Sequence, residues 1–166
     1  MSSVKKTLEL IKAQDVKYVD FRFTDPLGLW HHLAQHVSTV DEDMLTEGVM
    51  FDGSSIAGWK AINESDMVLK PDCDTAILDP FAAQTTLVIN CDILEPLTGQ
   101  NYGRDPRSIA KKAEAYVKSS GIADTAYFGP EAEFFVFDDV RWNTDPNNTG
   151  YSFDDTELPF NTGRQY

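Results

Sequence analysis

Two glutamates one residue apart, Glu131 and Glu133, have the type and spacing that most strongly suggest chemistry in this sequence. They lie in Phe128-Gly129-Pro130-Glu131-Ala132-Glu133-Phe134-Phe135-Val136-Phe137, where the aromatic and β-branched residues at 134–137 predict a strand. Residues i and i+2 of a strand share a face, so the two carboxylates would lie roughly 7 Å apart at Cα. Oxygen ligands suit Mg²⁺ or Mn²⁺, and this spacing fits one carboxylate on each of two neighbouring ions. Such ions could neutralise charge during phosphoryl transfer.

The alternative for these two glutamates is a strand whose polar face is simply exposed to solvent. The preceding Gly129-Pro130 turn, together with Phe135 and Phe137 on the same predicted face, favours a covered face and therefore the metal interpretation. Two carboxylates do not complete a metal site. The remaining ligands must come from elsewhere, and the sequence shows no obvious source for them.

A second candidate site is the segment Met50–Trp59, in which Asp52 is the lone acid among glycines and serines. Residues 50–66 have no sustained hydrophobic period, so we expect a loop. Such a loop can present a carboxylate to a ligand, although an ordinary turn stabilised by the aspartate side chain is the alternative. The segment lacks both the Walker and the Rossmann glycine patterns, which excludes those two phosphate-binding cradles.

The histidines and cysteines offer weaker candidates. On a strand, His32 and His36 would share a face that His31 does not, and no fourth ligand stands at zinc spacing, so we expect surface or interfacial histidines. Cys73 and Cys91 are the two cysteines. Reduced thiols in the cytoplasm are the favoured interpretation, with a disulfide between them as the open alternative.

Charge and hydropathy exclude several classes of function. The 166 residues include 14 Lys and Arg against 27 Asp and Glu, a formal net charge of −13. So acidic a surface repels phosphate backbones, and we expect no nucleic-acid partner. No apolar run approaches the roughly 20 residues of a membrane span, and charged residues interrupt any signal-like segment near the N-terminus. We therefore expect a cytoplasmic protein with no membrane association.

Hydrophobic patterning in the first hundred residues predicts several short strands with one or two helices. This mixture predicts an α+β domain built around a small mixed sheet. The predicted strands lie at 19–23, 29–37, 67–70, 75–78 and 85–91, and the predicted helices lie near 3–11 and 42–47.

A domain boundary is predicted near residue 103. Asp105 is placed to cap a helix that Gly121 would end, and Ile109 lies on its apolar stripe. From residue 138 onward the sequence is polar and predicts loop structure. We expect a first domain over 1–103 and, over 104–166, a second domain that starts but does not finish.

Five collinear segments of this chain resemble the amino-terminal part of bacterial type I glutamine synthetase. The resemblance extends over most of residues 15–140, and as a set the five segments are highly specific. The resemblance implies a β-grasp amino-terminal domain at 1–103, followed at 104–166 by the truncated start of the α/β catalytic domain. The segments are Phe51-Asp52-Gly53-Ser54-Ser55-Ile56-Ala57-Gly58-Trp59, Asn63-Glu64-Ser65-Asp66-Met67, Cys91-Asp92-Ile93-Leu94-Glu95-Pro96, Arg104-Asp105-Pro106-Arg107 and Phe128-Gly129-Pro130-Glu131-Ala132-Glu133-Phe134-Phe135.

The resemblance also implies a reaction. The family joins ammonia to the γ-carboxylate of L-glutamate, using ATP and two Mg²⁺ or Mn²⁺ ions, through γ-glutamyl phosphate. By motif position, Glu131 and Glu133 correspond to metal ligands, Glu131 beside the ATP phosphates and Glu133 beside glutamate. Asp52 corresponds to the acid that helps to bind ammonium and remove its proton, with Ser55 close by. The implied assembly is a dodecamer of two hexameric rings, with active sites between adjacent subunits.

The resemblance leaves two alternatives open. One is a γ-glutamyl-amine ligase of the same family that uses a polyamine, and the other is a non-catalytic module for assembly or binding. Members of the family are much longer than this chain, and most of the nucleotide pocket would lie beyond residue 166. We therefore expect the chain alone to be inactive. Trp59 is expected to anchor a subunit interface.

Overall fold

The structure is a computed structural model that describes residues 2–61, 64–159 and 161–163. The chain forms two compact units, residues 1–126 and 127–166, and each is described by itself. Asn63, which belongs to one of the five segments quoted above, lies outside the described residues.

In its described residues, the first unit is a mixed sheet with three α-helices. The strands follow the order β2-β1-β6-β4-β3, and the short β5 pairs with β6. β1 and β6 are parallel, whereas the other pairs are antiparallel. The predicted α+β architecture is therefore confirmed. The elements are α1 Ser3–Ala13, β1 Tyr18–Thr24, β2 Trp30–His36, α2 Glu42–Glu47, β3 Val49–Asp52, β4 Asp66–Pro71, β5 Ile77–Leu78, β6 Thr86–Leu94 and α3 Pro106–Ser120, with 3₁₀ turns at Val37–Thr39, Gly53–Ser55 and Cys73–Thr75.

One face of this sheet forms the core. Alternate residues of the central strands point into it, including Phe21 of β1 and Ile89 of β6, both of which are fully buried. Ile11 of α1 and Leu45 of α2 pack into the same cluster. Burying one face of the sheet under the helices removes apolar area from water, which is the main favourable contribution to folding.

Local capping chemistry fixes where the helices begin and end. Ser2 caps α1, and its hydroxyl accepts from the backbone N–H of Lys5 in the first turn. Asp41 caps α2, and Gly48 ends it with a φ of +99°. Asp105 caps α3, and Gly121 ends it in the left-handed region, as the sequence predicts.

The apolar stripe of α3 is exposed, contrary to the prediction. The sequence predicts a buried stripe, but Ile109 and Tyr116 are 53% and 73% exposed. Ser108 is the residue of α3 that is buried within the described part of the chain. The stripe therefore stays in solvent, because no described layer of the first unit covers it.

The second unit corrects the prediction of loop structure after residue 138. β7 (Asp139–Asp145) and β8 (Asn148–Asp154) form an antiparallel hairpin in full register. Both strands are polar and mostly exposed, so they lack the apolar alternation by which strands are recognised in a sequence.

The strand predicted at 134–137 is absent. Residues 127–137 have no regular secondary structure and are mostly exposed. A strand exists only when a neighbour accepts and donates its backbone hydrogen bonds, and no described strand pairs with this segment. Its aromatic and β-branched residues therefore favour a strand, but no described strand pairs with them.

Within the described ranges, the longest and most apolar helix falls short of what is needed to cross a membrane.

Candidate functional site

Asp52 is the last residue of β3 and lies opposite Asp66 of β4. Val49 and Phe51 of this strand are half-buried, whereas Met50 and Asp52 point outward. The sequence predicts loop structure from residue 50, so this part of the prediction is wrong: pairing with β4 extends the strand to Asp52. A 3₁₀ turn, Gly53–Ser55, follows at once. We call residues 52–59 the Asp52 loop.

Hydrogen bonds from serines hold the Asp52 carboxylate. Its Oδ1 accepts from the hydroxyl of Ser54 at 2.6 Å and from the backbone N–H of Ser54 at 2.8 Å. These donors, with a further contribution from the Ser65 hydroxyl, lower the pKa of Asp52 below its ordinary value. The aspartate turn that composition suggested is present, and the same bonds keep an exposed side chain in its anionic form at neutral pH.

Asp52 and Ser55 line one open cleft of about 360 Å³. The cleft therefore brings the two sequence-predicted residues of this segment together, and it adds His31 and His32 of β2, which the sequence analysis left without a role. Its walls are aromatic and aliphatic: Phe23, Trp30, Leu33, Phe51, Ile56 and Leu69. An anionic group beside aromatic faces is an environment that attracts small cations.

Trp59 lies inside the core of the first unit. Its side chain is 5% exposed, and its ring centroid is 5.5 Å from that of Tyr102 and 5.6 Å from that of Phe23. The prediction that Trp59 anchors a subunit interface is therefore wrong for the ring, which these aromatic neighbours within the chain already cover. It anchors the Asp52 loop instead.

The three histidines have protein partners. His31 Nε2 lies 2.9 Å from Asp25, and His32 Nδ1 lies 2.7 Å from Asp20. His36 caps the 3₁₀ turn that follows β2. In the part of the chain that the structure describes, no three His, Cys, Asp or Glu side chains form a group that could hold a metal ion.

Glu131 and Glu133 belong to the second unit and are exposed. Among the described residues, neither forms an ion pair or a hydrogen bond, so their oxygens are uncommitted. The rings of Phe135 and Phe137 stack at 5.9 Å, which indicates that alternate side chains share a side in the adjoining stretch. Uncommitted carboxylate oxygens fit a hard divalent cation, but two of them do not complete its coordination. The metal role stays a prediction.

Cys73 and Cys91 are free and buried. Burial raises the pKa of both thiols, because a thiolate would lose its hydration there. Cys91 Sγ lies 3.7 Å from the carbonyl oxygen of Ile89. The expectation of reduced thiols is confirmed, and neither cysteine belongs to the candidate site.

Sequence reasoning missed two residues that touch the Asp52 loop. The Tyr102 hydroxyl donates to the carbonyl of Trp59 at 2.9 Å. The Arg104 guanidinium donates to the carbonyls of Gly58 and Trp59. In the sequence this stretch indicated a domain boundary and a family segment but no contact with the Asp52 loop, because a bond between residues more than 40 positions apart leaves no local pattern.

Comparison with known proteins gives two family matches. The family described as "Glutamine synthetase, beta-Grasp domain" matches residues 15–96, and "Glutamine synthetase, catalytic domain" matches residues 103–166. These matches confirm the fold that the resemblance implied, a β-grasp domain followed by the beginning of the catalytic domain.

Relatives and solved structures agree with these matches. A glutamine synthetase of Bradyrhizobium diazoefficiens is 64% identical over all of this chain and 35% of its own length. One of Azospirillum brasilense is 63% identical over all of this chain and 36% of its own. A solved Plasmodium falciparum glutamine synthetase aligns with a TM-score of 0.69 at 31% identity, covering 93% of this chain and 30% of that chain.

The chain spans about a third of the length of the curated relatives it matches and corresponds to their N-terminal part. The two family matches follow one another along nearly the whole sequence. On these grounds, this chain belongs to the glutamine synthetase family.

Proposed function

We propose that this chain supplies part of the active site of a glutamine synthetase, which ligates ammonia to the γ-carboxylate of L-glutamate at the expense of ATP through γ-glutamyl phosphate. The observation that carries the proposal is Asp52, an anionic carboxylate at an open, aromatic-walled cleft in the segment that matches the family. On this account, Asp52 binds ammonium and Ser55 stands beside it.

Asp52 has two tasks in this reaction. Ammonium has no lone pair, so it becomes a nucleophile only after it loses a proton. A carboxylate that stays ionised concentrates the cation by charge attraction and is positioned to accept that proton. The donors from Ser54 fix the orientation of the carboxylate, so little reorganisation is needed when the cation arrives.

Glu131 and Glu133 would each hold one of two Mg²⁺ or Mn²⁺ ions. Their exposed, uncommitted oxygens are of the type that these ions prefer. When bound, the ions would offset the negative charge that develops on the phosphoryl group transferred from ATP. Each glutamate contributes one carboxylate, and the other ligands and the nucleotide pocket come from parts of the enzyme outside this chain.

We assign the first domain to residues 1–103 and the start of the catalytic domain to 104–166. The positions of the two family matches support the assignment, because the first match ends at residue 96 and the second begins at residue 103. Asp105 supports it independently, because its cap on α3 gives a local reason for a new element to start here.

In its complete form the enzyme would be a dodecamer of two hexameric rings, with each active site between adjacent subunits. The openness of the Asp52 cleft is consistent with this assembly, because a neighbouring subunit would have to close it. We assign the protein to the cytoplasm on the evidence of its free cysteines, which are typical of a reducing compartment. Neither nucleic acid nor membrane is a partner in this proposal.

A chimera tests the proposed function. Residues 1–166 replace the matching N-terminal part of the Bradyrhizobium diazoefficiens relative, and glutamine and ADP are measured with glutamate, ATP and ammonium. We expect glutamine and ADP in equal amounts. A chimera that assembles but forms no glutamine contradicts the proposal and favours a non-catalytic module.

The same assay separates ammonia from larger amines. Methylamine and putrescine are offered in place of ammonium at equal concentrations. We expect ammonium to be preferred, because Asp52 and Ser55 match the family segment whose carboxylate and serine correspond to an ammonium site. A higher kcat/KM for either amine would instead favour the γ-glutamyl-amine ligase of the same family.

A further inference from the structure

We propose that Tyr102 and Arg104 are positioning residues that hold the Asp52 loop in its ammonium-binding geometry. The inference rests on the proposed role of Asp52 and adds two residues to which sequence reasoning assigned no role at this site. Neither residue lines the Asp52 cleft. They act through the backbone of the loop, at the end opposite to Asp52.

The far end of the loop is held through its carbonyl groups. The Tyr102 hydroxyl donates to the Trp59 carbonyl at 2.9 Å, in a buried contact. Arg104 Nη1 donates to the Gly58 carbonyl and lies 3.4 Å from the Trp59 carbonyl. Carbonyl oxygens have two lone pairs, so the Trp59 carbonyl can accept from both donors at once.

The near end of the loop is held by Ser65, the residue immediately before β4. The backbone N–H of Gly53 donates to the Ser65 carbonyl at 2.7 Å. Within the loop, the amide of Ile56 donates to the Gly53 carbonyl and the amide of Trp59 donates to the Ile56 carbonyl, each at 3.2 Å. Two successive hydrogen-bonded turns therefore link Trp59 to Gly53, the neighbour of Asp52, so a displacement of Trp59 would also displace Gly53.

The two positioning residues are themselves fixed to the centre of the sheet. The amide of Tyr102 donates to the Ile93 carbonyl of β6 at 2.8 Å. The carboxylate of Asp105, 1% exposed, accepts from the amide of Ile93 at 3.2 Å and from the hydroxyl of Ser108. Residues 102–105 are thus bonded to a central strand, so they can restrain the Asp52 loop.

A loop held at both ends has fewer conformations to lose when ammonium binds. Removing the Tyr102 hydroxyl deprives the buried Trp59 carbonyl of one hydrogen-bond donor. The Trp59 end of the loop is then less restrained. Asp52 would then spend part of its time away from the binding geometry. The affinity for ammonium should fall, whereas the sites for ATP and glutamate are untouched.

The first test measures loop order in the 166-residue chain. In a background with Trp30→Phe and Trp142→Phe, Trp59 is the sole tryptophan, and acrylamide quenching reports its exposure. We expect Tyr102→Phe and Arg104→Gln to increase quenching and to speed amide exchange of Ile56 and Trp59 about three- to tenfold, the equivalent of one hydrogen bond. Tyr116→Phe, on the exposed face of α3, is the control and should change neither. Equal exchange in Tyr102→Phe and the control overturns the proposal.

The second test measures the consequence for ammonium in the chimera. We expect Tyr102→Phe and Arg104→Gln to raise KM for ammonium about three- to tenfold, with KM for ATP and glutamate unchanged. Arg104→Lys, which retains a donor, should restore part of the loss. A general loss of kcat with no selective change in KM for ammonium indicates a merely structural role and refutes the positioning role.

Comparing Asp52→Asn with Tyr102→Phe distinguishes the positioning role of Tyr102 from the proposed role of Asp52. If Asp52→Asn changes KM for ammonium but Tyr102→Phe does not, the positioning role alone is wrong. If Asp52→Asn leaves the ammonium kinetics unchanged, the proposed function is wrong, whatever the exchange data show for the loop.

Discussion

Gly53 packs directly against Met67. A Cβ built on Gly53 would lie 2.4 Å from Met67 Sδ and 2.8 Å from its Cγ, and Met67 is fully buried. The residue after the proposed ammonium-binding carboxylate therefore has no room for a side chain. This contact seats the start of the Asp52 loop against β4.

Replacing Gly53 by alanine should destabilise the first unit. We expect Gly53→Ala to lower the free energy of unfolding by about 1–3 kcal/mol, because the added methyl overpacks a filled core. Urea unfolding of the 166-residue chain, followed by circular dichroism, measures the change. Gly103→Ala is the matched control, since its Cβ would meet nothing within 4 Å. Equal stability of the two variants would show that Met67 moves aside freely.

Asp105 should contribute more to the free energy of unfolding than an ordinary helix cap does. It accepts from the amide and hydroxyl of Ser108 and also from the amide of Ile93 on β6. We expect Asp105→Ala to cost about 2–4 kcal/mol in unfolding free energy, because it removes a cap and leaves buried donors unpaired. Asp41→Ala, an exposed cap with one backbone bond, should cost only about 1 kcal/mol. Equal losses in the two urea titrations contradict the link to the sheet.

The titration of Asp52 should depend on Ser54. The hydroxyl and amide of Ser54 lower the pKa of Asp52, so this carboxylate stabilises the loop above its unfolded pKa, near 3.9, and the contribution is lost as pH falls through its lower folded pKa. We expect Ser54→Ala to raise the pKa of Asp52 toward the ordinary aspartate value. Carbon-13 NMR of the carboxyl resonance measures it, with Ser119→Ala as the control. An unchanged titration in Ser54→Ala would show that the hydroxyl contact does not stabilise the anion.

Replacing a proposed metal ligand should first of all weaken metal binding. We expect Glu133→Gln in the chimera to weaken Mn²⁺ binding at least tenfold and to lower kcat, because a neutral amide replaces an anionic ligand. Calorimetric Mn²⁺ titration and assembly by light scattering are measured together. Glu9→Gln, exposed on α1, is the control. If Glu133→Gln and the control bind Mn²⁺ equally, Glu133 is not a ligand.

The sequence was most informative where structure is decided locally. Asp105 and Gly121 cap and end α3 as predicted, and Asp41 and Gly48 do the same for α2, because capping depends on residues only a few positions apart. The mixed sheet was also predictable, since its inward-facing residues alternate. Pairing order was not, because the partners of β1 lie on β2 and β6, far apart in the chain.

The errors share one physical origin. Residues 134–137 have strand propensity but no described partner, whereas the hairpin at 139–154 has partners but little apolar signal. Propensity reports what a segment prefers, and pairing decides what it adopts. The burial of Trp59 belongs to the same class, because it depends on Phe23 and Tyr102, which are distant in sequence.

The candidate site was visible only in part. Spacing suggested a metal role for Glu131 and Glu133, and composition singled out Asp52, whose role came from the resemblance. The cleft that joins Asp52 to Ser55 and His31 depends on how the sheet brings β2 and β3 to one pocket. The hold that Tyr102 and Arg104 exert on the loop depends equally on tertiary structure.

The most direct test of the central claim is the ammonium dependence of the chimera with Asp52→Asn, beside Asp43→Asn on the exposed start of α2. Initial rates of glutamine formation are measured over a range of ammonium concentrations at saturating ATP and glutamate. We expect Asp52→Asn to lower kcat/KM for ammonium at least a hundredfold, the scale typical of a lost general base, with Asp43→Asn unchanged. Equal kcat/KM for ammonium in the two variants would contradict the account.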